Sequence, residues 1–302
     1  MIQIAHLKKR YGNKQALDGI SLSIPSGICF GLIGPNGAGK STLMKILCGV
    51  LEEYEGEVSM NGIDIRERKA ELKRKIGYVP QDIVLHETLT ARDNLMFFGS
   101  MYRMKGNELR QRVDEVLRLV GLAERGNDPV KSFSGGMKRR INIGCALMHN
   151  PDFIIMDEPT VGVDPQSRNY IFEMIYALKE DKKTILYSSH YMEEVEAICE
   201  EIALVDNGKV LESGDIAGLI DKYSTAGVYL EADGVSAESL QNFGEVLAKK
   251  DGWLICSEDP LGVMNQLALW LKQQEISVGR LELSKMTLED IFLSLTGKSL
   301  RD

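Results

Sequence analysis

Three stretches predict an α/β fold built on a parallel sheet. The short apolar run Ile28 to Ile33 leads straight into Gly34-Pro35-Asn36-Gly37-Ala38-Gly39-Lys40-Ser41-Thr42, and a periodic segment from Thr42 to Leu51 follows it. Phe153-Ile154-Ile155-Met156 is an uninterrupted apolar run, the pattern of a strand covered on both faces. Between the two, from Thr90 to His149, the chain changes to helical periodicity.

The first stretch supplies strand, glycine-rich loop and helix in the order that the pattern G-x-x-x-x-G-K-[ST] needs before it carries meaning. Gly34, Gly37 and Gly39 allow backbone conformations closed to other residues, so successive N–H groups can face an anion. The helix that follows adds its positive end and unpaired N–H groups. In such a loop Lys40 reaches the β- and γ-phosphates and the Ser41 hydroxyl ligates Mg²⁺.

In chain order, Ile2 to Leu7 and Ala16 to Ile24 read as strands of an antiparallel opening, with Tyr11 at a strand end. The Tyr11 ring can stack on a base, although a tyrosine beside a turn is more often a surface anchor. Asn61-Gly62 is a turn signal after a short strand. Glu67 to Lys75 reads as a charged helix, and Lys75 to Val79 as a strand running into Pro80-Gln81-Asp82. At that strand end the Gln81 amide oxygen can face a metal or water, or be a plain loop group.

Thr90 to Gly99 and Asn107 to Val120 read as helices of an inserted lobe, the second with Leu109, Val113, Val116, Leu117 and Val120 on one face. The lobe closes on Ser134-Gly135-Gly136 at the start of an apolar helix. This is either a second anion site of the dipole and N–H kind or an ordinary capping box.

Asp157-Glu158-Pro159 sits at the C-terminal end of the buried run, the edge where open α/β sheets bind ligands. Asp157 can hold Mg²⁺ directly or through water. Glu158, pointing the other way by strand alternation, can orient an attacking water and accept its proton. Asp164-Pro165 follows in a loop, and Ser167 to Lys179 is the next helix. Lys183 to Ser188 reads as another core strand with His190 just past its end, placed either to bond a γ-phosphate or to serve the structure. Glu201 to Gly214 reads as a hairpin around Asn207-Gly208.

Gly214 to Thr225 reads as the hinge into a smaller unit. There Val228 to Leu230, Leu254 to Cys256 and Val278 to Leu283 are strand candidates, and Ser236 to Lys249 and Leu261 to Gln273 are helix candidates. A terminal amphipathic helix follows Thr287, its expected N-cap.

The chain has 302 residues, 44% of them hydrophobic and 26% charged, with a formal net charge of -8. That is enough chain for a main domain and a smaller one. The acidic balance argues against a protein that binds nucleic acid by covering itself in positive charge. With no long apolar run and no signal-peptide pattern, the sequence predicts a cytosolic protein. Cys29, Cys48, Cys145, Cys199 and Cys256 lie apart and mostly in apolar runs, and no zinc spacing appears. They read as small buried hydrophobes in a reducing compartment.

Tyr11, Gly34 to Thr42, Gln81, Ser134-Gly135-Gly136, Asp157-Glu158, Asp164 and His190 occur in the order of the ATP-binding cassette (ABC) ATPases, which residues 1 to 215 resemble. The resemblance implies an α/β P-loop NTPase of ABC type, with an antiparallel β subdomain and a helical subdomain at about 84 to 150. Residues 216 to 302 would form a small C-terminal α+β domain. It implies ATP and Mg²⁺ as cofactors, with Tyr11 stacking on adenine and Ser41, Gln81 and Asp157 holding the metal. Gln81 links metal and water to the transmembrane contact, Glu158 is the general base, and Lys40 and His190 attend the phosphate.

Ser134, Gly135 and Gly136 would bind the γ-phosphate of the opposite subunit in a head-to-tail homodimer, with Asp164 in the loop crossing the interface. Phe133 where leucine is usual, valines at 161 and 163, and Lys138 where many members have glutamine depart from the pattern. Met286 to Phe292 resembles the tail of bacterial cassettes that serve two-component exporters for drugs, antibiotics, sodium or polysaccharide. The implied partners are integral membrane permease subunits at the inner face of the cell membrane, with no nucleic acid. An importer cassette, or a cassette ATPase acting on ribosomes or nucleic acid, is the alternative. Intact Lys40, Asp157 and Glu158 argue against a non-hydrolysing module.

Overall fold

A computed structural model describes residues 1–223, 227–249, 251–284 and 286–296. The described residues divide into two compact units, one from Met1 to Ile216 and one that begins at Ala217.

The first unit opens with an antiparallel sheet in the order Lys14–Ile24, Ile2–Tyr11, Glu55–Met60, Ile63–Asp64. Ile2 pairs with Ile24 and Tyr11 with Lys14, which closes a hairpin at Gly12 and Asn13. The register shifts between Ile4 and Leu7. That irregularity turns both Ile4 and Leu7 into the core, although they are three residues apart. Asn61-Gly62 forms the expected turn, both residues at positive φ.

A second, six-stranded sheet runs in the order Lys209–Asp215, Glu201–Asp206, Cys29–Ile33, Thr184–Ser189, Phe153–Asp157, Ile76–Val79. Its strands are parallel except for the edge strand Lys209–Asp215, which runs antiparallel to Glu201–Asp206. Cys29–Ile33, Phe153–Asp157 and Thr184–Ser189 are buried at every residue, as a sheet covered on both faces requires. One apolar cluster joins Ile4, Leu7 and Val58 of the first sheet to Leu43, Met44 and Ile46 of the helix Lys40–Leu47. The same cluster takes in Phe30, Ile155 and Leu186 of the second sheet.

Helices Ala91–Met101, Gly106–Leu119 and Gly135–Leu147 pack on one another in the inserted lobe. Thr90 caps the first through a reciprocal box with Asp93.

The helix expected from Thr42 to Leu51 runs instead from Lys40 to Leu47, because the chain turns through Gly49 at φ 68°. The charged helix expected from Glu67 to Lys75 is confined to Lys69–Lys73. Where a hinge was expected from Gly214, the hairpin strand continues to Asp215 and the helix Ile216–Tyr223 follows. Ser224 and Thr225 lie outside the described residues.

The second unit is a four-stranded antiparallel sheet ordered Glu245–Lys249, Gly252–Cys256, Gly227–Ala232, Val278–Ser284. Val263, Leu267 and Leu271 of the helix Pro260–Gln273 pack on Val228, Leu230 and Ile255. The helix expected over Ser236 to Lys249 is a correction: α-helix covers only Ala237–Leu240, a 3-10 turn follows over Gln241–Phe243, and Glu245–Lys249 is an edge strand. Gly244, at φ 156°, has no room for a Cβ, which would lie 2.3 Å from the Cys256 carbonyl oxygen. Past it, Val246 and Leu247 pair with Ile255 and Leu254.

Thr287 and Asp290 cap the terminal helix Leu288–Thr296 reciprocally: Thr287 N donates to Asp290 Oδ2 at 2.7 Å, and Asp290 N donates to Thr287 Oγ1 at 3.4 Å. Among the described residues no helix is long and apolar enough to cross a membrane. All five cysteines are free and buried, with the sulfurs of Cys29 and Cys199 3.5 Å apart.

Candidate functional site

The loop after Cys29–Ile33 opens at the C-terminal edge of the parallel sheet. Ala38 N donates to Pro35 O at 3.1 Å, and Gly37 and Gly39 take φ of 84° and 107°, in the left-handed region that favours glycine. Any Cβ on Gly39 would lie 2.6 Å from the Ala16 carbonyl oxygen, so this loop packs tightly on the neighbouring hairpin. Helix Lys40–Leu47 has no side-chain N-cap bond and no acid in its first turn. Its positive end is therefore left for an outside anion.

Lys40 is 5% exposed, and its Nζ donates to Gly34 O at 2.6 Å and Pro35 O at 3.3 Å. Burial lowers its pKa, and the carboxylates of Glu158 and Asp157 oppose that shift.

The carboxylate opposite Lys40 is Glu158, whose Oε1 lies 3.5 Å from Lys40 Nζ and 3.4 Å from His190 Nδ1. Gln81 Nε2 donates to Glu158 Oε2 at 2.9 Å. Strand alternation does not set the direction of this side chain. The strand ends at Asp157, and Glu158 takes φ 48°, a conformation that costs of order 1–3 kcal/mol when held by its surroundings. Ser188 on the adjacent strand holds it there, accepting from Glu158 N at 3.0 Å while donating to Asp157 Oδ1 at 2.9 Å.

A cleft of about 240 Å³ is lined by Tyr11, Lys14, Ala16, the loop from Pro35 to Thr42, Gln81 and Glu158. The exposed Tyr11 ring stands at its rim, with Lys9 Nζ 5.4 Å from the ring centre. Among the described residues, no cluster of three or more His, Cys, Asp or Glu side chains could hold a metal. Hydroxyl, amide and single carboxylate donors such as Ser41, Gln81 and Asp157 match what Mg²⁺ takes alongside phosphate oxygens.

Ser134, Gly135, Gly136 and Asp164 do not line this cleft. Ser134 and Gly135 are exposed. Ser134 Oγ accepts from Met137 N at 3.2 Å, and since residue 137 is methionine the reciprocal half of a capping box has no acid to make it. Gly136 is buried against the next helix, Pro165–Glu180, whose N-cap Asp164 accepts from Ser167 N at 2.9 Å.

The ABC transporter family model matches residues 17–161. Over its whole length the chain is 43% identical to the linearmycin resistance ATP-binding protein LnrL of Bacillus subtilis, all of which is covered. It is 34% identical to the Nod factor export ATP-binding protein I of Ralstonia nicotianae, covering all of this chain and 95% of that one. The chain belongs to the ABC transporter family.

Among solved structures, the cassette is similar to an ATP-binding subunit of an ABC transporter, with TM-score 0.67 and 29% identity over 74% of this chain and 93% of that one. It is also similar to a dimeric ATP-binding cassette in a post-hydrolysis state bound to ADP and Pi, with TM-score 0.64 and 30% identity over 71% and 98%. The cassette has the P-loop ABC fold with antiparallel sheets and helical subdomain, and it is an Mg²⁺-dependent ATPase.

Sequence reasoning did not single out Ser188 or Lys14. Ser188 stood only as the last residue of an expected core strand. A hydroxyl there, on the strand beside the Asp157-Glu158 edge, is the signal that could have marked it.

Proposed function

We propose that the cassette is the ATP-hydrolysing subunit of an exporter, working as a homodimer on a separate integral membrane permease from the cytoplasmic side. Within it, residues 1 to 215 form the ATPase domain, its helical subdomain at about 84 to 150, and 216 to 302 an accessory domain. The observation that carries the chemistry is the convergence of Lys40, Gln81 and His190 on the Glu158 carboxylate, at the mouth of the glycine-rich loop. Support for export comes from full-length identity to a linearmycin resistance protein and to Nod factor export proteins.

The loop from Gly34 to Thr42 surrounds the nucleotide's phosphates with N–H groups, Lys40 adds a buried positive charge, and Tyr11 stacks on the adenine. Mg²⁺, held by Ser41, Gln81 and Asp157, supplies charge neutralisation at the phosphate oxygens when bound. Gln81 occupies Glu158 Oε2, which leaves Oε1 to accept the proton of the attacking water. His190 faces the same oxygen and orients the water and phosphate. Exposed Ser134 and Gly135, outside the cleft, support a site completed by a second copy whose Ser134-Gly135-Gly136 binds the γ-phosphate, with Asp164 at the crossing loop. Val84, Phe97 and Met101, exposed close to Gln81 in the chain or on the adjoining helix, suit an apolar permease contact.

Affinity capture from the native membrane tests the assignment. Recovery of a small multispanning permease with the cassette is the expected result. Recovery of ribosomal proteins, or of no membrane protein, would leave an ATPase and remove the exporter.

A further inference from the structure

Glu194, on the short helix Met192–Ile198, is only 3% exposed. A carboxylate so deeply buried is stable only when donors and positive charge surround it. Its Oε2 accepts three hydroxyl bonds, from Thr160 Oγ1 at 2.7 Å, Tyr187 OH at 2.8 Å and Ser189 Oγ at 3.1 Å. Among the described residues its Oε1 has no hydrogen-bond partner; it lies 3.5 Å from Arg168 Nε, which has none among them either. Burial, and next the Glu194 charge, push the Tyr187 phenol well above its ordinary pKa, so that it stays a donor.

These contacts gather segments that the reaction needs in register. Thr160 lies two residues past Glu158, and Ser189 immediately precedes His190. Ser189 Oγ also accepts from Tyr191 N at 2.9 Å, so one hydroxyl brackets His190 on both sides. Arg168 sits in the first turn of the helix capped by Asp164, where its own N–H donates to the Asp164 carbonyl at 2.9 Å. Glu158 is held in a left-handed conformation, of the kind that persists only where the surrounding structure over-determines it. Ser188 anchors one flank, and the Thr160 bond to Glu194 anchors the other.

We propose that Glu194 is a positioning residue for ATP hydrolysis: its carboxylate fixes Glu158 and His190 relative to one another through Thr160 and Ser189, and steadies the Asp164 turn through Arg168. The inference rests on the reading of Glu158 and His190 as the groups that meet the reacting water and phosphate. Glu194 acts through other residues and touches neither.

The test is steady-state Mg²⁺-ATP hydrolysis and equilibrium nucleotide binding on the purified full chain, for Glu194→Gln, Thr160→Val, Tyr187→Phe and Glu158→Gln. A glutamine keeps the volume, but its single carbonyl oxygen cannot reproduce three charge-assisted bonds or attract Arg168. Misplacing the reacting groups by a fraction of an ångström should lower kcat of Glu194→Gln by about tenfold or more. Its nucleotide affinity should stay within about twofold, since the phosphate loop is untouched. Thr160→Val and Tyr187→Phe each remove one donor and should give smaller losses in kcat, again with affinity held. They carry the test if Glu194→Gln does not fold.

Unchanged kcat in the folded variants, or kcat and affinity falling together, would overturn the proposal. If Glu158→Gln hydrolyses like the parent, the reading of the site itself fails. If Glu158→Gln is inactive while Glu194→Gln is unaffected, only the role of Glu194 fails.

Discussion

Gly136→Ala adds one methyl group to the second residue of the helix Gly135–Leu147. A Cβ at Gly136 would lie 2.1 Å from Ser167 Oγ, 2.4 Å from Ser167 Cβ and 2.8 Å from Asp164 Oδ2, where ordinary contact begins at 3.4 Å. Rotating the serine removes the first clash but not the second, because Ser167 Cβ is fixed by its backbone. The two helices must therefore separate by about 1 Å, and overpacking of this kind costs about 1–3 kcal/mol.

Alanine's better helix propensity returns about 1 kcal/mol, so the net effect is destabilisation of up to about 2 kcal/mol and a fall in the thermal midpoint of up to about 8 °C. Gly135 is the internal control, since a Cβ there meets nothing within 4 Å, and Gly135→Ala should match or exceed the parent in stability. Thermal unfolding of the parent, Gly135→Ala, Gly136→Ala, Ser167→Gly and the Gly136→Ala/Ser167→Gly pair completes the cycle. The pair should recover stability beyond the sum of its members by about 1 kcal/mol or more. Should Gly136→Ala melt with Gly135→Ala, or the pair show no recovery, the close helix contact is not what requires glycine here.

Glu158→Gln should lower kcat by about 10²–10⁴-fold while ATP affinity holds, because the nucleotide's phosphates replace the negative charge Lys40 loses at 3.5 Å; rapid turnover by this variant would contradict the general-base role. Lys40→Ala removes the buried cation of the loop, and an ATP titration should show weakened binding, whereas unchanged affinity speaks against its phosphate role. Ser134→Ala should impair ATP-dependent dimerisation, followed by light scattering, and leave nucleotide binding to the monomer intact. Equal loss of both would place Ser134 at its own subunit's nucleotide and not at the neighbour's.

What could be read from the sequence was whatever one contiguous stretch carries together with its chemistry. The loop from Gly34 to Thr42 holds strand, turn and helix signals around its own lysine, and Asp157-Glu158 follows a run too apolar to be anything but a buried strand. The orientation of Glu158 could not be read that way. It depends on a left-handed turn held by Ser188, thirty-one residues from Asp157 along the chain and directly opposite it in the sheet.

The edge strand Glu245–Lys249 was hidden for a related reason. Val246 and Leu247 fit a helix face as well as a strand, and what decides is pairing with Gly252–Cys256 across the turn. Glu194 did leave a local trace. It stands four residues before Ile198 and directly before Val195, both buried, so it occupies the inward face of its helix. A carboxylate at such a position must find donors on whatever lies beneath, and beneath it here are the two strand ends that carry Glu158 and His190.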